Sequence, residues 1–318
     1  MAQADIAVIV PYFEDYESFR FLLNDFNSLL LKKTVERMQF FVIDDGSQKS
    51  PARKALREAT LPGLNIRVIS LVGNFGHQIA IFCGLQYVYT QSGFEYTVVM
   101  DADGEDTVLN LDKLLESIQS TDSVEVVVST RARRNETLAF NVFYKIYRFV
   151  FRALTGETLN YGNFMVLRKR ALSILVCRNT LPLHFAGTVK LSRIALNYIR
   201  QDRGPRYVGK SKSDFISQVS HGVRAIACYG NKVSLRIVVV GVFLAFASVV
   251  GMASATSLKV LGLATPGWFS ISLGVLGLAV LQTSFMTLSI AVTSSSKNLI
   301  SPLDRNEFKK YVLDICDV

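Results

Sequence analysis

From Ile237 to Leu258 the chain carries no charged residue, and from Val260 to Ser296 it again carries none, with Lys259 alone dividing the two runs. A helix of about 20 consecutive apolar residues crosses the hydrocarbon core of a bilayer. "IVVVGVFLAFASVVGMASA" and a segment from about Trp268 to Val292 therefore read as two spanning helices, with Pro266 and Gly267 marking the turn before the second. The other reading is a pair of buried helices in a soluble core, but such helices normally keep a polar stripe. Basic residues flank the pair on its outer sides: Arg224, Lys232 and Arg236 precede it, and Lys297, Arg305, Lys309 and Lys310 follow it. The connection holds only Lys259. The positive-inside rule then gives an integral membrane protein with two spans and both termini cytoplasmic, in the plasma (inner) membrane if the source is bacterial.

The remainder of the 318 residues is long enough for one large domain beside the hairpin. Lys and Arg (35) outnumber Asp and Glu (26), giving a net charge of +9, which suits nucleic acid, an anionic membrane face or a phosphorylated substrate. With two spans present, membrane and phosphate are favoured and nucleic acid is not expected. Cys83, Cys177, Cys228 and Cys316 lie far apart with no CxxC or Cys/His spacing, and read as reduced thiols. "MAQADIAVIVPYFED" has no basic n-region, and its apolar stretch is too short for a secretory signal, so it reads as a strand.

Residues 1–212 alternate strand and helix. "IAVIVPY", "QFFVIDDGS", "NIRVISLVGN", "YTVVMDADG" and "VEVVVST" read as buried strands. "ESFRFLLNDFNSLLLKK", "GHQIAIFCGLQYVYTQS" and "LDKLLESIQS" have helical periodicity. The expected fold class is α/β, a mostly parallel Rossmann-like sheet followed by the transmembrane hairpin. The boundaries are a cytoplasmic domain at 1–212, an amphipathic juxtamembrane region at 213–236, two spans at 237–293 and a cytoplasmic tail at 294–318. In the juxtamembrane region Phe215, Val219, Val223 and Ile226 share a helical face beside Arg224 and Lys232, which suits a membrane surface or packing on the domain. "FNVFYKIYRFVFRALTG" sets Phe140, Phe143, Tyr144, Tyr147 and Phe151 on one side of a helix with Lys145, Arg148 and Arg152 between them. Core packing and an interfacial helix both fit that pattern. The tail has no functional reading.

In an open α/β sheet ligands bind at the carboxyl ends of the strands, and acids collect at those ends here. Glu14 follows the first strand, Asp44 and Asp45 end the second, and Asp101 and Asp103 follow "YTVVM". Two carboxylates one residue apart can face one hard cation, Mg²⁺ or Mn²⁺, whose shell phosphate oxygens complete. The other reading of Asp103 to Asp106 is a solvated turn and helix cap. Neither a GxGxxG nor a GxxxxGK[ST] loop is present, so metal rather than a nest of amides must handle phosphate.

"VIVPYFED", "VIDDGS", "NFGHQIAIFCGL" and "MDADGED", in this order, resemble the family 2 glycosyltransferases of the GT-A fold. With "YGNFMVLRKRAL", "RYVGKSKSDF" and the hairpin, the likeness covers nearly the whole chain and more narrowly resembles the polyprenyl-phosphate glycosyltransferases, including dolichol-phosphate mannose synthases and bacterial enzymes with C-terminal membrane helices. The resemblance implies that Pro11, Tyr12 and Glu14 border base and ribose and that Asp45 also binds the nucleoside. It implies that Asp101 and Asp103 take diphosphate and metal, with Glu105, where relatives often carry Gln, as a further candidate ligand. Asp44 would stabilise its loop. Arg131, Arg206, Lys210 and Lys212 are the cations expected on acceptor phosphate, although exposed charge near a membrane is the plainer reading of some of them. Arg133 and Arg134 are expected to face water or headgroups.

Many relatives have Gly-Asp-Phe where this chain has Gly162, Asn163 and Phe164. Asn cannot accept a proton, and a phosphate monoester, already anionic, needs no base to attack an anomeric carbon. The implied reaction is therefore an inverting, single in-line displacement from a nucleoside diphosphate sugar, UDP favoured and GDP possible, onto a polyprenyl phosphate. Its product would be a lipid-linked sugar donor for cell-envelope glycan or glycolipid synthesis. Catalytic weight falls on Asp101, Asp103 and Asn163. His77 either contacts phosphate or is structural, and His184 and His221 rank lower. Two alternatives stay open: a glycolipid or polysaccharide hydroxyl as acceptor, and a membrane-tethered protein that binds nucleotide sugar without turnover, for which Asn163 and Glu105 are the warning signs. A homo-oligomer is possible.

Overall fold

The computed structural model describes residues 6–30, 38–48, 65–91, 93–131, 138–209, 215–297 and 302–317. They fall into two compact units: residues 1–144, 158–228 and 302–318 form one, and residues 145–157 and 229–301 the other.

The first unit is built on an eight-stranded sheet. The five strands expected are β1 (Ile6–Tyr12), β2 (Met38–Asp44), β3 (Asn65–Leu71), β4 (Tyr96–Val99) and β5 (Val126–Arg131). Three further strands, β6 (Tyr161–Arg168), β7 (Leu196–Gln201) and β8 (Val312–Asp317), complete the order β7-β5-β6-β4-β1-β2-β3-β8. Strands β3, β2, β1 and β4 run parallel, as do β5 and β7, whereas β6 is antiparallel to β4 and β5, and β8 to β3.

β1 is apolar at every position because both faces of the sheet are covered. Ala7 and Ile9 pack on α2 (His77–Thr90), together with α5 (Lys169–Leu175) and α6 (Phe185–Leu191); Ile6, Val8 and Val10 pack on α1 (Tyr16–Leu30) and α3 (Val108–Ser120). α2 lies so close to the sheet that a Cβ at Gly84 would stand 2.6 Å from Cγ2 of Ile9. α7 (Phe215–Ala227) also belongs to this unit. The side chains of Phe140, Phe143, Tyr144 and Phe215 lie outside the described residues.

The tail re-enters the same sheet. β8 pairs with β3 in the register Val68↔Cys316 and Ile69↔Ile315, and Phe308 just before it is buried in the core beneath α2.

The second unit holds the two long helices, α8 (Gly230–Val260) and α9 (Trp268–Lys297), both long and apolar enough to cross a membrane. Small residues let them meet: Gly241 lies against Thr287, and Gly251 against Leu276. The hydroxyls of Ser248, Ser254, Thr256, Ser257 and Thr283 donate back to carbonyls four residues earlier, so these polar groups need no water. Val239, Phe243, Phe246, Leu281 and Phe285 are exposed, an apolar exterior that suits lipid. The C-terminal part of α4 (Leu138–Thr155) docks at the start of α8: Phe151 meets Tyr229 edge to face, Lys232 pairs with Glu157 at 2.8 Å, and Arg236 donates to the carbonyl of Ala153 at 2.6 Å. Phe151 is therefore packed, while Ile146, Phe149 and Val150 stay exposed among Lys145, Arg148 and Arg152.

Candidate active site

The parallel strands send their carboxyl ends to one edge of the sheet. Tyr12 and Glu14 leave β1 there, Asp44 and Asp45 β2, Asp101 and Asp103 β4, Arg131 β5, and Arg203 and Arg206 β7. β6 runs the other way, so its beginning, with Asn163, comes to the same edge.

Two loops support this edge. Asp44, fully buried, accepts the Ser47 N–H at 3.0 Å, the loop-holding role expected of it. Asp45 accepts the N–H groups of both Phe75 and Gly76 at 2.8 Å, so its carboxylate fastens the "NFGH" turn. Burial raises the Asp45 pKa, and those two donors oppose the rise. Gly46 sits at φ 73°, where a Cβ would lie 2.4 Å from the carbonyl carbon of Gly73, so the two loops touch backbone to backbone. Glu14, at φ 47°, donates its N–H to Ser47 Oγ at 3.1 Å and accepts the Gln48 N–H at 3.3 Å. Tyr12 is buried with its hydroxyl unpartnered, and burial drives its pKa up, with Asp44 adding to the rise. Pro11 pairs with Ile43 inside the sheet.

The acidic loop has distinct parts. Asp106 is buried and accepts the Asp101 N–H at 3.1 Å; burial first, and then the charge of Asp101, push its pKa well up, against the pull of Arg131. Asp103 accepts the Glu105 N–H at 3.0 Å, and its pKa is raised by burial and by Asp101. Thr107 caps α3 by accepting the Asn110 N–H. Asp101 keeps one oxygen, Oδ1, buried and without a hydrogen bond, 3.4 Å from His77 Nε2. Asn163 Nδ2 lies 3.0 Å from the same His77 nitrogen. The Asp101, His77 and Asn163 side chains thus meet at one point.

Across this loop lies a strap that the sequence reading only half found. Arg206, expected on acceptor phosphate, pairs with Asp103 at 2.5 Å and approaches Glu105 at 4.0 Å. Arg203, not singled out from the sequence, pairs with Glu105. The signal was present as two arginines three apart around Gly204 and Pro205. Burial lowers the Arg203 pKa, and the charges of Asp101 and Asp103 oppose it. The backbone is stitched as well, with the Gly204 N–H on the Glu105 carbonyl at 3.1 Å and the Tyr207 N–H on that of Asp103 at 2.8 Å. Lys210, Lys212, Arg133 and Arg134 lie outside the described residues.

His184 and His221, ranked low in the sequence, form a pair with Nε2 atoms 3.0 Å apart. His184 Nδ1 accepts the Gly187 N–H at 3.0 Å, which leaves Nε2–H to donate to His221. Burial first, and then His221, hold the His184 pKa down at about 3. The His221 pKa is lowered by burial, then by His77 and Arg224, with Asp101 opposing.

Carboxylate oxygens are hard donors, and the unpartnered Asp101 Oδ1 beside Asp103 fits Mg²⁺ or Mn²⁺. Among the described residues no group of three or more His, Cys, Asp or Glu is gathered to hold an ion unaided. Glu105, the expected third ligand, turns to Arg203.

Residues 7–176 match the family model described as glycosyl transferase family 2. The chain is 24% identical over 292 residues to the uncharacterized glycosyltransferase YkoT of Bacillus subtilis, covering 88% of this chain and 84% of that protein. It is 23% identical over 229 residues to the undecaprenyl-phosphate 4-deoxy-4-formamido-L-arabinose transferase of Pectobacterium atrosepticum, covering 70% and 67%. In structure it is similar to glucosyl-3-phosphoglycerate synthase of Mycobacterium tuberculosis, crystallised with Mn²⁺, UDP-glucose and phosphoglyceric acid. That likeness has a TM-score of 0.50 and 16% identity over 73% of this chain and 80% of that one, and it identifies the fold as GT-A.

Proposed function

Because the chain belongs to glycosyl transferase family 2, matched over more than half its length, we propose that it transfers a sugar, with inversion, from a nucleoside diphosphate sugar to a polyprenyl phosphate in the membrane. The name of the Pectobacterium relative supports the acceptor class. UDP is the favoured donor nucleotide, with GDP possible.

Asn163 carries the acceptor reading. It stands at the meeting point with His77 and Asp101 and, unlike the Asp that many relatives carry there, cannot take a proton. An acceptor hydroxyl would find no base at position 163, whereas a phosphate oxygen needs none. Asp101 and Asp103 are the residues to hold Mg²⁺ or Mn²⁺, which when bound supplies positive charge to the departing nucleoside diphosphate. Tyr12 and Glu14 border the donor side. Asp45 acts there by fixing the turn that presents His77. Arg131 and Arg206 remain candidates for phosphate, with Lys210 and Lys212.

The two long helices anchor the protein. Strands β1 to β7, before α8, and β8, after α9, belong to one sheet, which supports both ends of the helix pair lying on the same side of the membrane. The basic outer flanks support a cytoplasmic position for that side. The exposed apolar face of α4 fits an interfacial position.

The test is label transfer from a panel of UDP- and GDP-sugars into polyprenyl phosphate, using purified protein in lipid, with Mn²⁺ or Mg²⁺ against chelator. A metal-dependent, acid-labile lipid product is expected. Donor hydrolysis alone would redirect the search to another acceptor, and binding without turnover would favour a nucleotide-sugar-binding role.

A further inference from the structure

Arg203 and Arg206 neutralise the carboxylates that the donor and its metal need. Asp103 and Glu105 are 17% and 29% exposed, and Arg206 and Arg203 are 22% and 33% exposed, so these pairs are largely withdrawn from water. Breaking such a pair by removing one partner leaves a costly, uncompensated charge. An ion that claims Asp103 alone therefore strands Arg206. A guanidinium so released is matched by one ligand chemistry above others, the paired oxygens of a phosphate, to which its planar fork donates two parallel hydrogen bonds.

We propose that Arg203 and Arg206 are exchange cations, held by Glu105 and Asp103 until metal and donor arrive together and then turned onto the donor's phosphate oxygens. The inference rests on the metal and nucleotide-sugar reading above and gives the two arginines a role in coupling those ligands. The frame suits a movement confined to side chains. The strap backbone is stitched to the acidic loop, and Gly204 lies so near Gly104 that a Cβ would stand 2.5 Å from its carbonyl oxygen. Tyr207 presses its ring on Gly104 and hydrogen-bonds Asp25, so the strap keeps its place while the guanidinium groups change partners. The ion then binds weakly alone, since Asp103 must leave Arg206 and Glu105 must leave Arg203 to join as third ligand, and more tightly with the diphosphate, which gives both guanidinium groups new partners.

Mn²⁺ titration followed by electron paramagnetic resonance, on the full chain in nanodiscs with and without UDP, tests this. Wild type is expected to bind Mn²⁺ at least about tenfold more tightly when UDP is present. In Arg206→Gln and Arg203→Gln, Mn²⁺ alone should bind several-fold more tightly than in wild type, and the gain from UDP should shrink. Arg206→Lys, which keeps the charge, should return toward wild type and serves if the Gln variants do not fold. Folded variants whose affinity for Mn²⁺ alone is unchanged or weaker would overturn the exchange while leaving the metal site standing. Wild type that binds no Mn²⁺ even with UDP would overturn the metal reading and the exchange with it.

Discussion

Gln86 Oε1, in the middle of α2, accepts the backbone N–H of Phe308 at 2.8 Å, and Gln86 Nε2 donates to the carbonyl of Asp304 at 2.7 Å and to that of Val176 at 3.1 Å. One buried amide thus ties the segment after the hairpin to the helix that begins with His77. Tyr311 extends the tie: its carbonyl accepts the Val72 N–H at 2.8 Å, and its ring meets Phe75 edge to face at 5.1 Å, beside the amides that Asp45 holds.

Phe308 is 3% exposed, and truncating a buried Phe typically costs about 3–5 kcal/mol. Phe308→Ala should destabilise the sheet unit by that order, measured by chemical denaturation of the protein in detergent, and deletion from Pro302 onward should lower the yield of folded protein. A tail deletion with unchanged stability would show that β8 is dispensable.

Asp103→Ala should lower metal-dependent transfer by roughly 10²-fold or more, with the chain still folded but its melting temperature reduced because Arg206 loses its partner. His77→Ala removes a neighbour of Asp101 rather than a metal ligand and should cost about tenfold. Full turnover by the Asp103 variant would remove Asp103 from the site.

The His184–His221 pair should lose stability on mild acidification, against the opposite contribution of the raised carboxyl groups of Asp45, Asp103 and Asp106. His184 has its folded pKa depressed to about 3 against an ordinary 6.5, so below pH 6.5 the unfolded chain binds a proton that the folded one refuses. The contribution is fully present above 6.5 and is lost as pH falls toward 3, approaching about 1.4 kcal/mol per pH unit for the one group. The depressed pKa of His221 acts in the same direction. His184→Asn keeps an acceptor for the Gly187 N–H at the start of α6, so its melting temperature should fall less between pH 7 and pH 5 than that of wild type. Equal slopes would place the titrating group elsewhere.

Much of this was readable from the residues, for physical reasons. Uncharged runs as long as those around Phe243 and Leu281 have few uses outside lipid, and a strand such as Ile6–Tyr12, apolar throughout, must be covered on both faces. β6 was harder, since "YGNFMVLR" stood out as a motif rather than as a strand, and its antiparallel direction comes from tertiary pairing with β4. β8 alternates no apolar face and is half exposed, so only its pairing with β3 reveals it. At the site, acids at strand ends marked Asp101 and Asp103, but nothing in the sequence tells that Asp106 is buried, that Arg203 meets Glu105, or that His184 meets His221. Those contacts join segments far apart in the chain.

Asn163→Asp would restore a carboxylate beside His77. If the acceptor is a phosphate, the variant should gain nothing from a base and should retain transfer within about tenfold of wild type, with any loss arising from charge beside Asp101. A large gain in rate would mean that proton removal limits the native enzyme.

The most direct test of the central claim compares polyprenyl phosphate with the corresponding polyprenol as acceptor, in the same vesicles and with the same donor and metal, following the product by phosphorus NMR. The account predicts conversion of the phosphomonoester to a sugar phosphodiester, with no product from the alcohol. Glycosylation of the polyprenol hydroxyl, with the phosphate left as a monoester, would contradict it.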